Sequence, residues 1–410
     1  MWFRLWVVPE ILCFRDFKCP GCAGSELLNE GYIEEMTIRE IEAKSILRKH
    51  KKIDSWFISH YGMNLYRGCI HNCVYCDGRS EGYYVDGEFG RDVAVKVNAI
   101  EILRKELDPK RKRIPFRRSF IMVGGGVGDS YQPIEKKYQL TRKALQLVSE
   151  YDFPVHMLTK STLIKRDIDI LKKINEQSRA IVSFSFSSAD DEISDIFEPG
   201  VPSPAERLET IAFFKDEGIA CGMFLLPVIP FITDTAELME ETVKKAVKAG
   251  VDFIVFGGMT LKEGRQKDYF LDVLKKYYPH LIAEYQNIYK ENRWGEATRE
   301  YYSLINQRFD RIAKKYKIPG RIPPSLYRDI LGENDLVIVM LEHIDYFLKI
   351  YGKSSPYGYA AYSISRLKEP LSTIKGDLRK LKGVGKVTEG IIMEILETGR
   401  ASYYEKLLTG

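Results

Sequence analysis

Between about residues 55 and 278, short apolar runs rich in β-branched and aromatic residues alternate with longer amphipathic stretches. This alternation is typical of parallel strands joined by crossover helices. The predicted strands are 57–65, 119–124, 155–158, 180–186, 220–226 and 253–256. The predicted helices between them are 97–107, 134–150, 166–175, 204–217 and 235–249. The pattern predicts an α/β fold, a partial (β/α)6 barrel with its active site at the carboxyl ends of the strands.

The flanking segments divide the chain into four predicted parts: 1–53, 54–278, 279–333 and 334–410. The first is an extension that contains the pair Cys19 and Cys22 and a helix over 38–49, capped by Thr37. One cysteine pair supplies only half of a four-ligand zinc site. A helical extension follows the barrel, and the last part is predicted as a small all-α domain.

Composition narrows the class of protein. The 410 residues are 45% hydrophobic and 29% charged with a net charge of +5, which excludes wholesale disorder, collagen and a polytopic membrane protein. No run reaches about 18 apolar residues, so we expect no membrane span. The chain has seven cysteines, an odd number that does not indicate a disulfide framework. We therefore expect a cytoplasmic protein whose thiols serve a metal or a redox reaction.

Three cysteines directly after the first predicted strand carry the strongest chemical signal. Cys69, Cys73 and Cys76 stand in the string Arg-Gly-Cys-Ile-His-Asn-Cys-Val-Tyr-Cys. Chance would produce this spacing with a probability of about 0.002. Three thiolates on one short loop can hold three irons of a cubane cluster and leave the fourth iron open to a ligand. The alternative is a structural zinc site completed by His71 or a distant cysteine.

This loop resembles the motif of the radical S-adenosylmethionine (radical SAM) superfamily at all three cysteines and at Tyr75, the aromatic residue before the last one. The resemblance implies a 4Fe-4S cluster whose open iron binds the amine and carboxylate of S-adenosyl-L-methionine (SAM). One-electron reduction would cleave the sulfonium and give a 5′-deoxyadenosyl radical that abstracts a substrate hydrogen. A reductase or ferredoxin is the implied electron donor.

A run of glycines follows the second predicted strand. Gly124, Gly125 and Gly126 leave no side chain to keep a ligand away from the backbone. In position the run resembles the turn that binds the methionyl amine in radical SAM enzymes, and Asp129 is the acidic candidate there. An ordinary turn is the alternative.

Four further motifs occur in the order found in spore photoproduct lyase-related proteins, which the chain resembles over about residues 40–281. They are Asp129-Ser-Tyr-Gln-Pro-Ile-Glu, Thr159-Lys-Ser with Arg166-Asp, Glu198-Pro-Gly with Arg207, and Pro227-Val-Ile-Pro. The resemblance implies that Lys160 binds the methionyl carboxylate and that Ser185 and Ser187 reach the ribose hydroxyls. The alternatives are that Lys160 is a surface lysine and that the two serines lie on a solvent-exposed outer face of the sheet.

The sequence departs from this branch in one respect. Spore photoproduct lyases return a hydrogen atom from a cysteine beyond the cluster, and no cysteine stands near the second predicted strand. Cys221, on the fifth, is more typical of a small buried hydrophobic residue. Tyr131, close to the glycine run, is the catalytic candidate as a radical relay.

Near the carboxyl terminus, Gly383-Val-Gly385 joins two apolar runs among five basic residues. The segment resembles a helix-hairpin-helix of the polymerase beta kind, which implies binding of nucleic-acid backbone phosphates through Gly383, Gly385, Lys382 and Lys386. The position of that family's lyase lysine is Ile391, so lyase chemistry is not implied. A helical bundle used for protein contacts is the alternative.

Together these motifs predict a radical SAM enzyme joined to a nucleic-acid-binding domain and acting on a damaged base in DNA. Modification of an RNA base is one alternative. The other is a non-catalytic, metal-containing protein that binds nucleic acid.

Overall fold

A computed structural model describes residues 36–83, 87–290 and 293–409. The predicted cysteine pair at 19 and 22 lies outside these residues. The strands are β1 (Ile38–Ile41), β2 (Leu47–Asp54), β3 (Ser59–Met63), β4 (Tyr66–Arg67), β5 (Val93–Lys96), β6 (Phe120–Val123), β7 (Val155–Thr159), β8 (Ala180–Phe186), β9 (Ala220–Val228) and β10 (Phe253–Gly258).

The helices of the barrel region are α1 (Ala99–Leu107), α2 (Glu135–Tyr138), α3 (Leu140–Glu150), α4 (Ile168–Gln177), α5 (Asp191–Phe197), α6 (Pro204–Asp216), α7 (Ala236–Lys248) and α8 (Arg265–Tyr277). Those that follow are α9 (Ile282–Ile288), α10 (Arg299–Lys315), α11 (Glu333–Lys349), α12 (Tyr357–Ser365), α13 (Lys386–Thr398) and α14 (Ser402–Thr409). Among the described residues, no helix is long and apolar enough to cross a bilayer.

The main sheet is a curled half-barrel of seven strands in the order β10-β9-β8-β7-β6-β3-β2. Its neighbouring strands are parallel except for β2, which pairs antiparallel with β3 at one edge. All six predicted strands are present, in sequential spatial order and joined by helices. The α/β prediction of a partial (β/α)6 barrel is therefore confirmed for this part of the chain.

The predicted helix over 38–49 is wrong. The segment instead forms β1, which pairs with β5 in a small three-stranded sheet, and the start of β2 on the main sheet. The basic residues of β2 favour a helix in isolation, but Leu47 is buried opposite Met63 of β3. Pairing along the sheet edge therefore overrides local propensity.

The predicted single helix over 134–150 is two helices. Gln139 adopts a left-handed backbone conformation with φ of 52° and separates α2 from α3. The break lets Glu135, fully buried at the start of α2, accept from the backbone amide of Thr141 at 3.0 Å. One buried carboxylate thus satisfies amides at the start of α3 that no helical carbonyl can reach.

The carboxyl-terminal helices share a hydrophobic core with one face of the sheet. Apolar residues at the beginnings of the strands, among them Phe120, Ile181 and Phe253, are fully buried in one cluster with Val337 and Ile344 of α11. The small all-α part predicted for 334–410 is indeed helical, but it covers the amino-terminal half of this sheet face instead of standing apart from it. Because side chains alternate along a strand, every second residue beyond the covered part lies on this same sheet face, up to the carboxyl ends of the strands.

Candidate active site

A cavity of about 290 Å³ lies at the carboxyl ends of the parallel strands, where the fold predicts an active site. The sequence-predicted residues that line it are Cys69, Cys73, Tyr75, Cys76, Gly124, Gly125, Gly126, Asp129, Lys160 and Ser185. Side chains alternate along a strand, which explains why strand residues reach this cavity. Leu158, Ser185 and Leu226 line it, and they lie on the sheet face whose amino-terminal half is covered by the carboxyl-terminal helices.

The three thiols of the cysteine loop lie against the cavity in a largely buried setting. Cys69 and Cys73 are each 6% exposed. Burial raises the pKa of Cys73 to about 12 and also raises the pKa values of Cys69 and Cys76. A bare thiolate is disfavoured here, so these side chains fit a positively charged metal group that neutralises them as it binds.

The cysteine loop is clamped by the turn between α5 and α6. The amide of Val74 donates to the carbonyl of Phe197 at 2.9 Å, and that of Gly200 donates to the carbonyl of His71 at 3.1 Å. His71 Nδ1 donates in turn to the carbonyl of Gly200 at 2.8 Å. A Cβ on Gly200 would approach the carbonyl oxygens of His71 and Ile70 to within 3.0 Å, so only glycine permits this contact. These contacts hold the cysteine loop against the turn between α5 and α6.

His71 makes a hydrogen bond through one ring nitrogen, and its other nitrogen, Nε2, is buried without a hydrogen bond to any described residue. Nδ1 faces a carbonyl, which can only accept, and Nε2 lies 3.3 Å from a carboxylate oxygen of Asp129. Among the described residues, no three or more Cys, His, Asp and Glu side chains are grouped as ligands of a single ion. Zinc needs its ligands about 2 Å from one centre, whereas a cubane cluster distributes its thiolates over different irons. Three cysteines on one short loop fit the separate irons of such a cluster.

The glycine run leaves backbone open to the cavity. Gly124 has φ of +89°, and a Cβ there would lie 2.0 Å from the carbonyl oxygen of Leu158 on β7. At Gly126, by contrast, a Cβ would meet nothing within 4 Å. The first glycine is thus required by the chain itself, and the third leaves free space above the sheet.

We expect Gly124→Ala to disturb this turn strongly. The change places a methyl group against a backbone carbonyl in a left-handed conformation and should lower the free energy of unfolding by about 2–4 kcal/mol. Urea unfolding of the full chain measures it. Gly126→Ala is the matched control, with an expected change below about 1 kcal/mol. Equal stability of the two variants would contradict this account of the turn.

Asp129 holds the site together instead of presenting a free carboxylate. Its oxygens accept from the amides of Tyr131 at 2.8 Å and Lys160 at 2.7 Å and from the hydroxyl of Thr159 at 2.7 Å. Burial alone would raise the pKa of Asp129, but His71 and these amides lower it below its ordinary value. The side chain predicted to bind the methionyl amine thus already links the glycine run, β7 and the cysteine loop.

A buried ion network adjoins the cavity at Glu198. Lys160 Nζ donates to Glu198 at 2.9 Å and to Ser185 Oγ at 2.9 Å, and the carboxylate also binds Arg207 and the Tyr75 hydroxyl. Burial alone would raise the pKa of Glu198, but Arg207 and Lys160 hold it well below its ordinary value. Glu198 and Arg207 were recognised in the sequence only as parts of a motif, and their role in orienting Lys160 emerges from the structure.

Helix α6 places Arg207 in this network. Ser203 caps the helix by accepting from the amide of Glu206 at 3.2 Å, and the Glu206 carboxylate accepts from the Ser203 amide at 2.8 Å. Pro204 follows at the first helical position. This capping box fixes the helix start. Arg207, one turn later, therefore points to Glu198 from a rigid element.

Two predicted residues are not at the cavity. Tyr131 is fully buried and donates to the buried carboxylate of Asp167 at 3.0 Å, and its predicted role as a radical relay stays a prediction. Ser187 is 1% exposed, lies beyond the end of β8 and does not line the cavity, unlike Ser185. Cys221, at the start of β9, is fully buried in the hydrophobic core as predicted.

The carboxyl-terminal glycines lie in a tight turn. The run before them is not an α-helix but a 3₁₀ segment, Leu371–Lys380, with a kink at Ile374, and α13 follows them. Gly383 has φ of +89°, and a Cβ on it would lie 2.5 Å from the amide nitrogen of Ala360 on α12. Gly385 faces open space. The helix-hairpin-helix and its contacts with phosphate, including those of Lys382 and Lys386, stay predictions.

Comparison with known proteins agrees with this geometry. Residues 63–240 match the family described as the Radical SAM superfamily. An uncharacterized protein of Mycobacterium bovis is 29% identical over 79% of this chain and 95% of its own length. An uncharacterized protein of Methanocaldococcus jannaschii is 30% identical over 52% of this chain and 75% of its own length.

Among solved structures, a spore photoproduct lyase mutant is similar with a TM-score of 0.50 at 18% identity, over 69% of this chain and 80% of that chain. At this identity the likeness concerns the fold. The superfamily implies a 4Fe-4S cluster and SAM, for which the three cysteines and the cavity provide a fitting place. Residues 63–240 thus form a radical SAM domain.

Proposed function

We propose that this protein is an enzyme that holds a 4Fe-4S cluster on Cys69, Cys73 and Cys76 and cleaves SAM reductively. The observation that carries the proposal is that the three thiols, the open glycine backbone and Lys160 line one cavity at the strand ends. When bound and reduced, the cluster supplies the electron that breaks the SAM sulfonium bond and releases a 5′-deoxyadenosyl radical.

The protein's own residues bind and orient SAM in this proposal. Lys160, 13% exposed and fixed by Glu198 and Ser185, presents its ammonium to the methionyl carboxylate. The backbone around Gly126 receives the amino-acid part of SAM, where no side chain intrudes. Ser185 lies beside Lys160 and can turn its hydroxyl from the Leu226 carbonyl, 2.9 Å away, toward the ribose. The buried setting excludes water from the reacting centre.

We propose a damaged base in DNA as the substrate. The fold similarity to spore photoproduct lyase and the basic carboxyl-terminal turn support this choice. Next to that turn, Tyr359 and Tyr362 are 64% and 60% exposed, and Lys382 Nζ lies 5.5 Å from the Tyr359 ring centre. Exposed aromatic rings among cations are typical of surfaces that bind nucleic-acid backbone and bases. A tethered binding surface raises the concentration of DNA near the cavity.

The test is formation of 5′-deoxyadenosine by anaerobically reconstituted, reduced protein. We expect ultraviolet-irradiated duplex DNA to raise the rate about tenfold over unirradiated DNA, because substrate binding energy is used in the reaction, with loss of a photoproduct. Equal rates with both DNAs but stimulation by RNA would favour the RNA alternative. An intact cluster with no cleavage of SAM would overturn the enzymatic proposal and favour a non-catalytic binding protein.

A further inference from the structure

An open groove of about 750 Å³ carries two exposed aromatic rings next to two cations. Tyr83 is 40% exposed and Trp294 60%. Lys262 Nζ lies 4.9 Å from the Tyr83 ring centre, and the Arg293 guanidinium lies 5.1 Å from that of Trp294. Glu263 also lines the groove, but it is paired with Lys267 at 2.6 Å. The groove therefore combines apolar faces with two cations, of which Lys262 is also paired with Asp77 at 2.7 Å.

The groove adjoins the catalytic cavity through Asp77, the residue after Cys76. Thr260 Oγ1 donates to Asp77 at 2.7 Å, and Lys262 Nζ donates to its other oxygen at 2.7 Å. Asp77 and Thr260 line the cavity, whereas Lys262 lines the groove. A single carboxylate thus connects the wall of the cavity to that of the groove.

The segment that bears Trp294 is fixed against the same loop. The amide of Leu261 donates to the carbonyl of Gly295 at 2.7 Å. Gly295 has φ of +63°, and a Cβ there would lie 2.4 Å from the carbonyl carbon of Leu261. This backbone contact fixes the segment that carries the indole of the groove.

A base that reacts in a cavity this small must leave the stack of a duplex, and its neighbours then lose stacking energy. Aromatic faces replace that stacking irrespective of sequence, and nearby cations attract the flanking phosphates. We infer that the groove of Tyr83, Lys262, Arg293 and Trp294 binds an unpaired nucleotide adjacent to the target base. This inference rests on the proposed function and adds that the nucleic acid is bound with a nucleotide next to the target base unpaired.

The test measures binding of a fluorescently labelled thymidine tetranucleotide to the full-length, cluster-loaded protein by anisotropy. We expect Trp294→Ala to raise the Kd about tenfold, and Trp294→Phe to raise it less than about threefold because an aromatic face remains. Binding should also quench indole fluorescence in the unaltered protein, and Trp294→Phe should remove that quenching.

Tyr277→Ala is the matched control, because Tyr277 is 47% exposed with Lys276 Nζ 5.0 Å from its ring centre but lies outside the groove. Its Kd should be unchanged. Unaltered binding by Trp294→Ala, or no binding by the unaltered protein, would overturn the inference. The assay contains neither SAM nor reductant, so a failure here is distinct from a failure of the proposed reaction.

Discussion

Replacing Cys73 with alanine should abolish the cluster and lower 5′-deoxyadenosine formation by on the order of a thousandfold or more, because the cofactor carries chemistry that protein side chains cannot supply. Cys73 lies between the other two cysteines on the loop and against the cavity. Iron content, absorbance at about 400 nm and the amount of 5′-deoxyadenosine formed are measured together on anaerobically reconstituted protein.

Cys221→Ala is the matched control for this change. Cys221 is fully buried and packs in the hydrophobic core away from the cavity, its Sγ lying 3.6 Å from the carbonyl oxygen of Ile219. We expect full iron content and SAM cleavage with a loss of about 1 kcal/mol of stability. A Cys73→Ala protein that keeps a redox-active cluster and its activity would refute the ligand assignment.

Replacing Arg207 with leucine should lower the free energy of unfolding by about 3–5 kcal/mol, because it leaves a buried carboxylate without its closest cation. Arg207 and Glu198 are both fully buried at their side chains. Lys160 stays paired with Glu198 at 2.9 Å but is partly exposed, so it compensates only in part. Urea unfolding of the full chain measures the loss.

A double-mutant cycle with Glu198→Gln isolates the coupling between the two side chains. Glu198→Gln alone should also cost about 3 kcal/mol or more, since it leaves the guanidinium buried without a counter-charge. The double variant should cost clearly less than the sum of the two single changes. Strict additivity would show that the ion pair does not carry the stability of this turn.

The repeating architecture was predictable because its strands are defined by local pattern. Runs such as Ala180–Phe186 are apolar except for two serines, as expected for strands covered on both faces, and this strand was predicted with its observed bounds. At the edge of the sheet the hydrophobic pattern does not predict the strand. The strand Leu47–Asp54 has few apolar residues, and only its pairing with Ser59–Met63 makes it a strand.

The site was predictable where a motif is contiguous and unpredictable where it depends on distant partners. Cys69, Cys73 and Cys76 are recognised by spacing alone, and all three line the cavity. The role of Asp129 depends on Thr159 and Lys160, some 30 residues away in sequence. Hydrogen bonds of this kind are set by strand order and leave no periodic trace in the sequence.

The sheet and the carboxyl-terminal helices share one hydrophobic core, so each part buries apolar surface of the other. Apolar side chains such as Ile181 and Phe253 would face water if the segment from Glu333 onward were removed. The segment is therefore not an interchangeable module that can be gained or lost without cost. A chain without this segment would need another cover for the lower half of its barrel.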